Sequence, residues 1–155
     1  MKGNIKIIDK LNSLLADELL AINQYMMHAE MCSNWGYMRL HKMIQERAIA
    51  EMKHAEKLIE RILFLEGKPI LTPPVKINIG TTVEDQQKND HAAELVAING
   101  YNEGIKLAVE IGDNGTREML GAILKQEEAH IDNIEIQLDQ IKQIGIQSYL
   151  MKQID

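Results

Sequence analysis

One cysteine, one tryptophan, one phenylalanine and three prolines in 155 residues leave several architectures without their usual materials. The lone Cys32 cannot form a disulfide within the chain, and without a Cys-x-x-Cys pair there is neither a rubredoxin-type iron site nor a thiolate zinc site. Cys32 reads as a small helix-packing residue, because no flanking cation or helix start marks it as activated. With aromatics at only 4% and Leu, Ile, Ala, Met, Glu, Lys and Gln abundant, a sheet is disfavoured and an all-α fold expected. No apolar run is long enough to cross a bilayer, and the start passes directly into an amphipathic helix with no signal peptide. A cytoplasmic protein with no membrane partner is expected. An excess of positive charge is also missing: the net charge of −6 argues against a nucleic-acid partner and is permissive for cation attraction.

What is present is enough for one core. A chain of 155 residues with 45% hydrophobic content fits a single domain over 1–155. The helical period predicts a first helix over about 5–33, ending at Asn34-Trp35-Gly36, where glycine takes a left-handed cap, and a second over about 37–66 that Gly67 ends. Residues 67–81 hold Pro69, Pro73 and Pro74 and show no helical period. Fifteen residues stretch about 50 Å, more than the roughly 42 Å of a 28-residue helix, so this segment can cross the bundle and let the second and third helices run parallel. Thr82 is the expected N-cap of the third helix; the turn Gly112-Asp113-Asn114-Gly115 sends a fourth helix back, to end near Gly145. The remaining 146–155 is too short to be stable alone and must pack on something, for which an oligomer contact is expected.

Each of the four long helices carries an apolar stripe that turns polar near its middle. The rows are Leu11, Leu15, Glu18, Ile22, Tyr25, Ala29; Leu40, Ile44, Glu51, His54, Leu58, Leu65; Glu94, Ala97, Tyr101, Ile105, Ala108; and Leu120, Ile123, Glu127, His130, Ile134, Leu138, Ile141. Two of them contain Glu-x-x-His, Glu51 to His54 and Glu127 to His130, whose members share a helix face. A single glutamate from each of two helices plus Glu-x-x-His from each of the other two is the ligand pattern of di-iron carboxylate bundles. Four carboxylates in one apolar interior repel and lose hydration unless cations neutralise them. Oxygen donors with one imidazole per metal suit iron or manganese. Tyr25, two turns after Glu18, is placed either to hydrogen-bond a ligand carboxylate or simply to pack in the core. His28, His41 and His91 have no glutamate three residues earlier and read as ordinary surface histidines.

The stretches Glu18-Leu-Leu-Ala-Ile-Asn-Gln-Tyr25, Glu51-Met-Lys-His54-Ala, Arg61-Ile-Leu-Phe-Leu-Glu-Gly67 and Glu127-Glu-Ala-His130-Ile-Asp resemble bacterioferritin signatures, and the similarity runs from Met1 through the final short segment. The resemblance implies a ferritin-like four-helix bundle with one long crossover and a short fifth C-terminal helix. It implies iron storage in a hollow cage of 24 subunits arranged as 12 dimers, with ferroxidase activity toward Fe(II) using O2 or H2O2. It further implies Glu51 and Glu127 as bridges between two iron ions per subunit, with Glu18 and His54 completing one site and Glu94 and His130 the other. Met52, rotated about 100° from Glu51 around the helix, would supply an axial ligand to a haem b shared by two subunits, delivering electrons from a donor protein for iron release. Asn34, Glu66, Asp132 and Asp139 match positions lining an inter-subunit cation pore in that family. Glu46 and Ala50 replace the histidine and aspartate of an interior iron site, which speaks against that site here. Arg47 replaces a commonly acidic residue one turn before Glu51, a change in local potential. Two other classes stay open: a rubrerythrin-like peroxide reductase fed by a partner, and a non-catalytic scaffold whose polar residues set helix register.

Overall fold

The computed structural model describes residues 1–73 and 76–155; Pro74, assigned above to the connection, lies outside the described residues. Four long helices and one short one follow in order: α1 Ile5–Asn34, α2 Met38–Phe64, α3 Val83–Ile111, α4 Asn114–Ile144 and α5 Ile146–Met151. The fold is an all-α, ferritin-like four-helix bundle with a long crossover between α2 and α3. α1 packs on α2 and α3, α3 on α4, and α4 on α2 and α5.

The helix ends follow local chemistry. Asn4 caps α1 by accepting from Lys6 N–H at 2.9 Å, and Thr82 caps α3 by accepting from Asp85 N–H at 3.1 Å. Gly36, Gly112 and Gly145 take positive φ where α1, α3 and α4 stop, a conformation that favours glycine. α2 ends at Phe64, slightly before the expected 66, and the left-handed residue just beyond it is Glu66, with φ of 59°, so the turn does not rest on the backbone freedom of Gly67. Gly67 is required for another reason: a Cβ there would meet Ile8 Cγ2 at 2.7 Å, so its bareness lets the chain close against α1.

Helix direction follows from which ends meet. Gly3 N–H bonds Leu65 O at 2.9 Å, which puts the start of α1 at the end of α2. Asn78 and Gly80, just before α3, donate to Gln24 and His28 in the second half of α1. Both α2 and α3 therefore run antiparallel to α1 and parallel to each other, as the crossover length allows. Two apolar cores result, one around Leu11, Leu15, Leu58, Ile62, Leu120 and Ile123, the other around Tyr25, Cys32, Leu40, Ile44, Ile141 and Tyr149.

The C-terminal segment packs on its own chain. Tyr149 is buried in the second core and donates to Gln137 Oε1 at 2.7 Å, while Gln153 O accepts from Arg39 N–H at 3.0 Å. Ile146, Tyr149 and Leu150 thus pack against the second core of their own chain, while Met151 and Ile154 remain exposed, and the oligomer contact stays an expectation for them. No helix among the described residues is long and apolar enough to cross a membrane.

Candidate metal centre

Between the two cores the four stripes bring Glu18, Glu51, His54, Glu94, Glu127 and His130 together. The five apart from His130 are buried. Two donor groups form: Glu18, Glu51, His54 and Glu127, and Glu51, Glu94, Glu127 and His130, within each of which one donor atom per residue lies inside 4.8 Å of the others. Glu51 and Glu127 belong to both. The i, i+3 spacing does the local work, since it aims His54 Nδ1 at Glu51 Oε2, 2.8 Å away, and His130 Nδ1 at Glu127 Oε2, 3.1 Å away. His54 Nδ1 also lies 3.4 Å from Glu127 Oε1 and 3.6 Å from Glu18 Oε1. His130 Nδ1 lies 2.9 Å from Glu51 Oε1 and 3.5 Å from Glu94 Oε1.

Electrostatics follow from this crowding. Burial pushes the Glu18 carboxyl up to about 7, with Glu127 adding repulsion and hydrogen bonds to His54 and Glu51 only partly offsetting it. For His54, burial disfavours the charged ring, but Glu127, Glu18 and Glu51 outweigh it and push the imidazole up to about 12. His130 behaves alike, reaching about 11 through Glu127, Glu51 and Glu94 against the same opposing burial. The protons on the two Nδ1 atoms are the counter-charges that bound cations would replace. Buried Glu51 Oε1, Glu94 Oε2 and Glu127 Oε1 have no hydrogen bond of good geometry. Such oxygens are costly unless something positive takes them up, and a carboxylate-imidazole set of this kind fits two divalent ions of iron's preference.

The ferritin-like domain family matches residues 8–144. The chain is 40% identical to the bacterioferritin of Brucella melitensis over 96% of its own length and 92% of that protein. It is 36% identical to the bacterioferritin of Rhodobacter capsulatus, covering 97% and 94% of the two, and 37% identical to that of Streptomyces coelicolor, covering 100% and 93%. This chain belongs to the bacterioferritin family.

Residues outside the six flank the candidate site, and two tyrosines hold its carboxylates. Tyr25 donates to Glu94 Oε1 at 2.7 Å, so of the two roles open to it the hydrogen-bonding one is present, together with core burial. Tyr101, read from the sequence only as part of an apolar row, donates to Glu18. Burial and the neighbouring glutamates raise both phenols above their usual value, so they stay donors. His54 Nε2 donates to Gln126 Oε1 at 2.7 Å, fixing the ring with Nδ1 toward the carboxylates. Gln126 precedes Glu127 directly, and only the rotation of α4 against α2 reveals its role.

His28 is a correction. It is fully buried, accepts from Gly80 N–H at Nε2 at 2.9 Å and donates from Nδ1 to Asp90 Oδ1 at 2.8 Å. The signal was present: His28 lies three residues after Tyr25, on its face, and Val83, Gln86, Gln87, Asp90 and Glu94 form a buried stripe on α3 that is largely polar. His41 and His91 are partly exposed and bond Ala29 O and Glu135 Oε1, both at 2.9 Å. Cys32 packs as expected, its Sγ 3.2 Å from Gln86 Oε1, and burial with the nearby Asp90 charge pushes its thiol up to about 12. Asn34, Glu66, Asp132 and Asp139 are all exposed, as are Glu46 and Met52, while Ala50 is partly buried. Met52 sits 45% exposed at an apolar cleft of ≈ 250 Å³ with Ile22, Met26, Ala29, Ala48 and Ile49.

A separate cleft of ≈ 210 Å³ between α1 and α3 reaches Glu18, Glu51, Glu94 and Glu127, with Asp17, Lys76, Asn78 and Asn89 among its lining residues. Burial raises the Asp17 carboxyl, with Lys10 pulling the other way. The cleft thus reaches all four carboxylates from the α1–α3 side.

Proposed function

We propose that this chain stores and detoxifies iron by oxidising Fe(II) at the six-residue centre and retaining the ferric product inside a homo-oligomeric cage. The observation that carries this reading is the pair of donor groups sharing Glu51 and Glu127, which suits two adjacent ions. Glu18, Glu51, His54 and Glu127 would hold one ion, and Glu51, Glu94, Glu127 and His130 the other. Two Fe(II) ions can each give one electron to O2 or H2O2, which a single ion cannot match. The protein's part is to hold those ions: Tyr25 and Tyr101 orient Glu94 and Glu18, Gln126 orients His54, and each imidazole gives up its Nδ1 proton as metal binds.

Family membership supports assembly into 24 subunits as 12 dimers in the cytoplasm, and a donor protein that reduces the stored iron for release. The apolar cleft and exposed thioether of Met52 fit one half of a haem b site at a two-fold interface. When bound, that haem would carry electrons for release.

Anaerobic Fe(II) binding at two ions per chain, followed by oxidation on exposure to air and co-elution of ferric iron with a large particle, is the expected result. Glu18→Ala, Glu94→Ala or Glu127→Ala should abolish rapid oxidation. Oxidation at the unaltered rate in the triple variant would refute the assignment, and peroxide consumption without iron retention would favour a peroxide reductase. Met52→Leu should remove haem absorption and leave iron oxidation in place.

A further inference from the structure

The two halves of the centre mirror each other in ligand type, but their surroundings differ. Behind the Glu18–His54 half the immediate partners are neutral: Tyr101 donates to Glu18 and Gln126 accepts from His54 at 2.7 Å. Beside the Glu94–His130 half stands a cation. Arg47, one turn before Glu51 on α2 and 4% exposed, lays its guanidinium over the Tyr25 ring at 5.4 Å, and Tyr25 donates to Glu94 Oε1 at 2.7 Å. Arg47 also lines a cleft with His130, Asn133 and Glu46, whose carboxylate is exposed and so screened by water.

That charge has one buried ion-pair partner, held at a single atom. Asp90 Oδ1 takes two short bonds, from Gln24 at 2.9 Å and His28 at 2.8 Å, while Arg47 Nη1 reaches Oδ2 only at 3.4 Å. Arg47 Nη2 is buried with no hydrogen-bond partner. A guanidinium stays protonated at any working pH, and a buried charge is screened less than one in water. It therefore opposes a second divalent cation at the nearer half more than a first cation at the farther one.

We propose that Arg47 makes the two metal positions unequal, so that a divalent ion fills the Glu18–His54 half first and the Glu94–His130 half last and more weakly. This rests on the two-metal reading of the six residues. Its consequence is a threshold: at low Fe(II) the centre holds one ion, and the pair needed for two-electron chemistry forms only as Fe(II) rises. A purely structural role makes the opposite prediction, because loss of a clamp on Tyr25 and Glu94 would weaken the second position rather than tighten it.

An anaerobic Co2+ titration of the full-length protein, read by the visible absorption of bound Co2+, should show two ions per chain in two steps separated by about tenfold in affinity. Arg47→Gln should tighten the second step and close most of the gap. Arg47→Lys, which keeps the charge, should preserve it. Glu94→Ala and Glu18→Ala, each leaving one half with its own glutamate and histidine, give the comparison without altering Arg47, and the half retaining Glu18 should bind tighter. Two ions taken up in a single step, or an Arg47→Gln protein whose second step is unchanged or weaker, would overturn the proposal. Fewer than two ions per chain would instead undo the two-metal reading itself.

Discussion

The end of the bundle where α1 begins and α2 finishes is filled by Leu11, Leu14, Leu15, Leu58, Ile62, Leu120 and Ile123, and few polar groups are buried with them: Asn12, and Thr116 beside Asp113, which caps α4 and bonds Arg61 at 2.8 Å. The opposite end also has an apolar cluster, but Gln24, His28, Arg47, Gln86, Gln87 and Asp90 are buried alongside it. Packing tolerates small axial slips of one helix along another, whereas a network such as Asp90 with Gln24 and His28 accepts only one register. The six candidate ligands lie between the two, so one side of the site is held by volume and the other by hydrogen-bond geometry. The polar end thus fixes the stagger on which convergence of the six residues depends, a specificity role for buried polar groups that the following measurements test.

Removing the network's acceptor should do the most damage. Asp90→Ala leaves the Arg47 charge and the His28 and Gln24 donors without their shared partner, a loss of about 3–5 kcal/mol in denaturant unfolding of the metal-free protein. It should also lower Co2+ affinity, whereas an equally destabilising change at the apolar end should not. Leu58→Ala is that control: fully buried, it should lose roughly 2–5 kcal/mol through cavity formation while metal stoichiometry stays intact. If Leu58→Ala disturbed metal binding as much as Asp90→Ala, the contrast between the ends would collapse.

Smaller effects sharpen it. Asp113→Ala should cost about 1 kcal/mol through the lost N-cap of α4, seen as a lower unfolding midpoint. Burial raises the Asp113 carboxyl, but Thr116 hydroxyl and N–H and the Arg61 guanidinium outweigh it, leaving the group below its ordinary 3.8. Its contribution is therefore present above about pH 4 and disappears as pH falls through the depressed folded value, so wild type and variant should converge there. Least of all, Cys32 at the polar end should resist alkylation at pH 8 in the native state and react only on unfolding, because a thiol raised to about 12 and shielded from solvent supplies almost no thiolate. Native labelling at the rate of the unfolded chain would show that this end opens readily, contrary to the register argument.

The sequence alone determined the elements and the ligand phase. A 3.6-residue period tells which residues share a helix face, so Glu18, Glu51, His54, Glu94, Glu127 and His130 could be placed on core-facing rows, and Thr82, Gly36, Gly112 and Gly145 could be read as termini because capping is local chemistry. Tertiary structure decided everything that depends on how one helix is rotated and staggered against another. His28 and Asp90 lie 62 residues apart, His54 and Gln126 72 apart, and Tyr101 and Glu18 83 apart, and nothing in either local sequence announces the partner. Arg47 shows the reason most plainly. Its charge suggests solvent, yet the position is one turn from Glu51 on a buried face, so the fold had to supply an aromatic ring and a carboxylate across two other helices to hold it there.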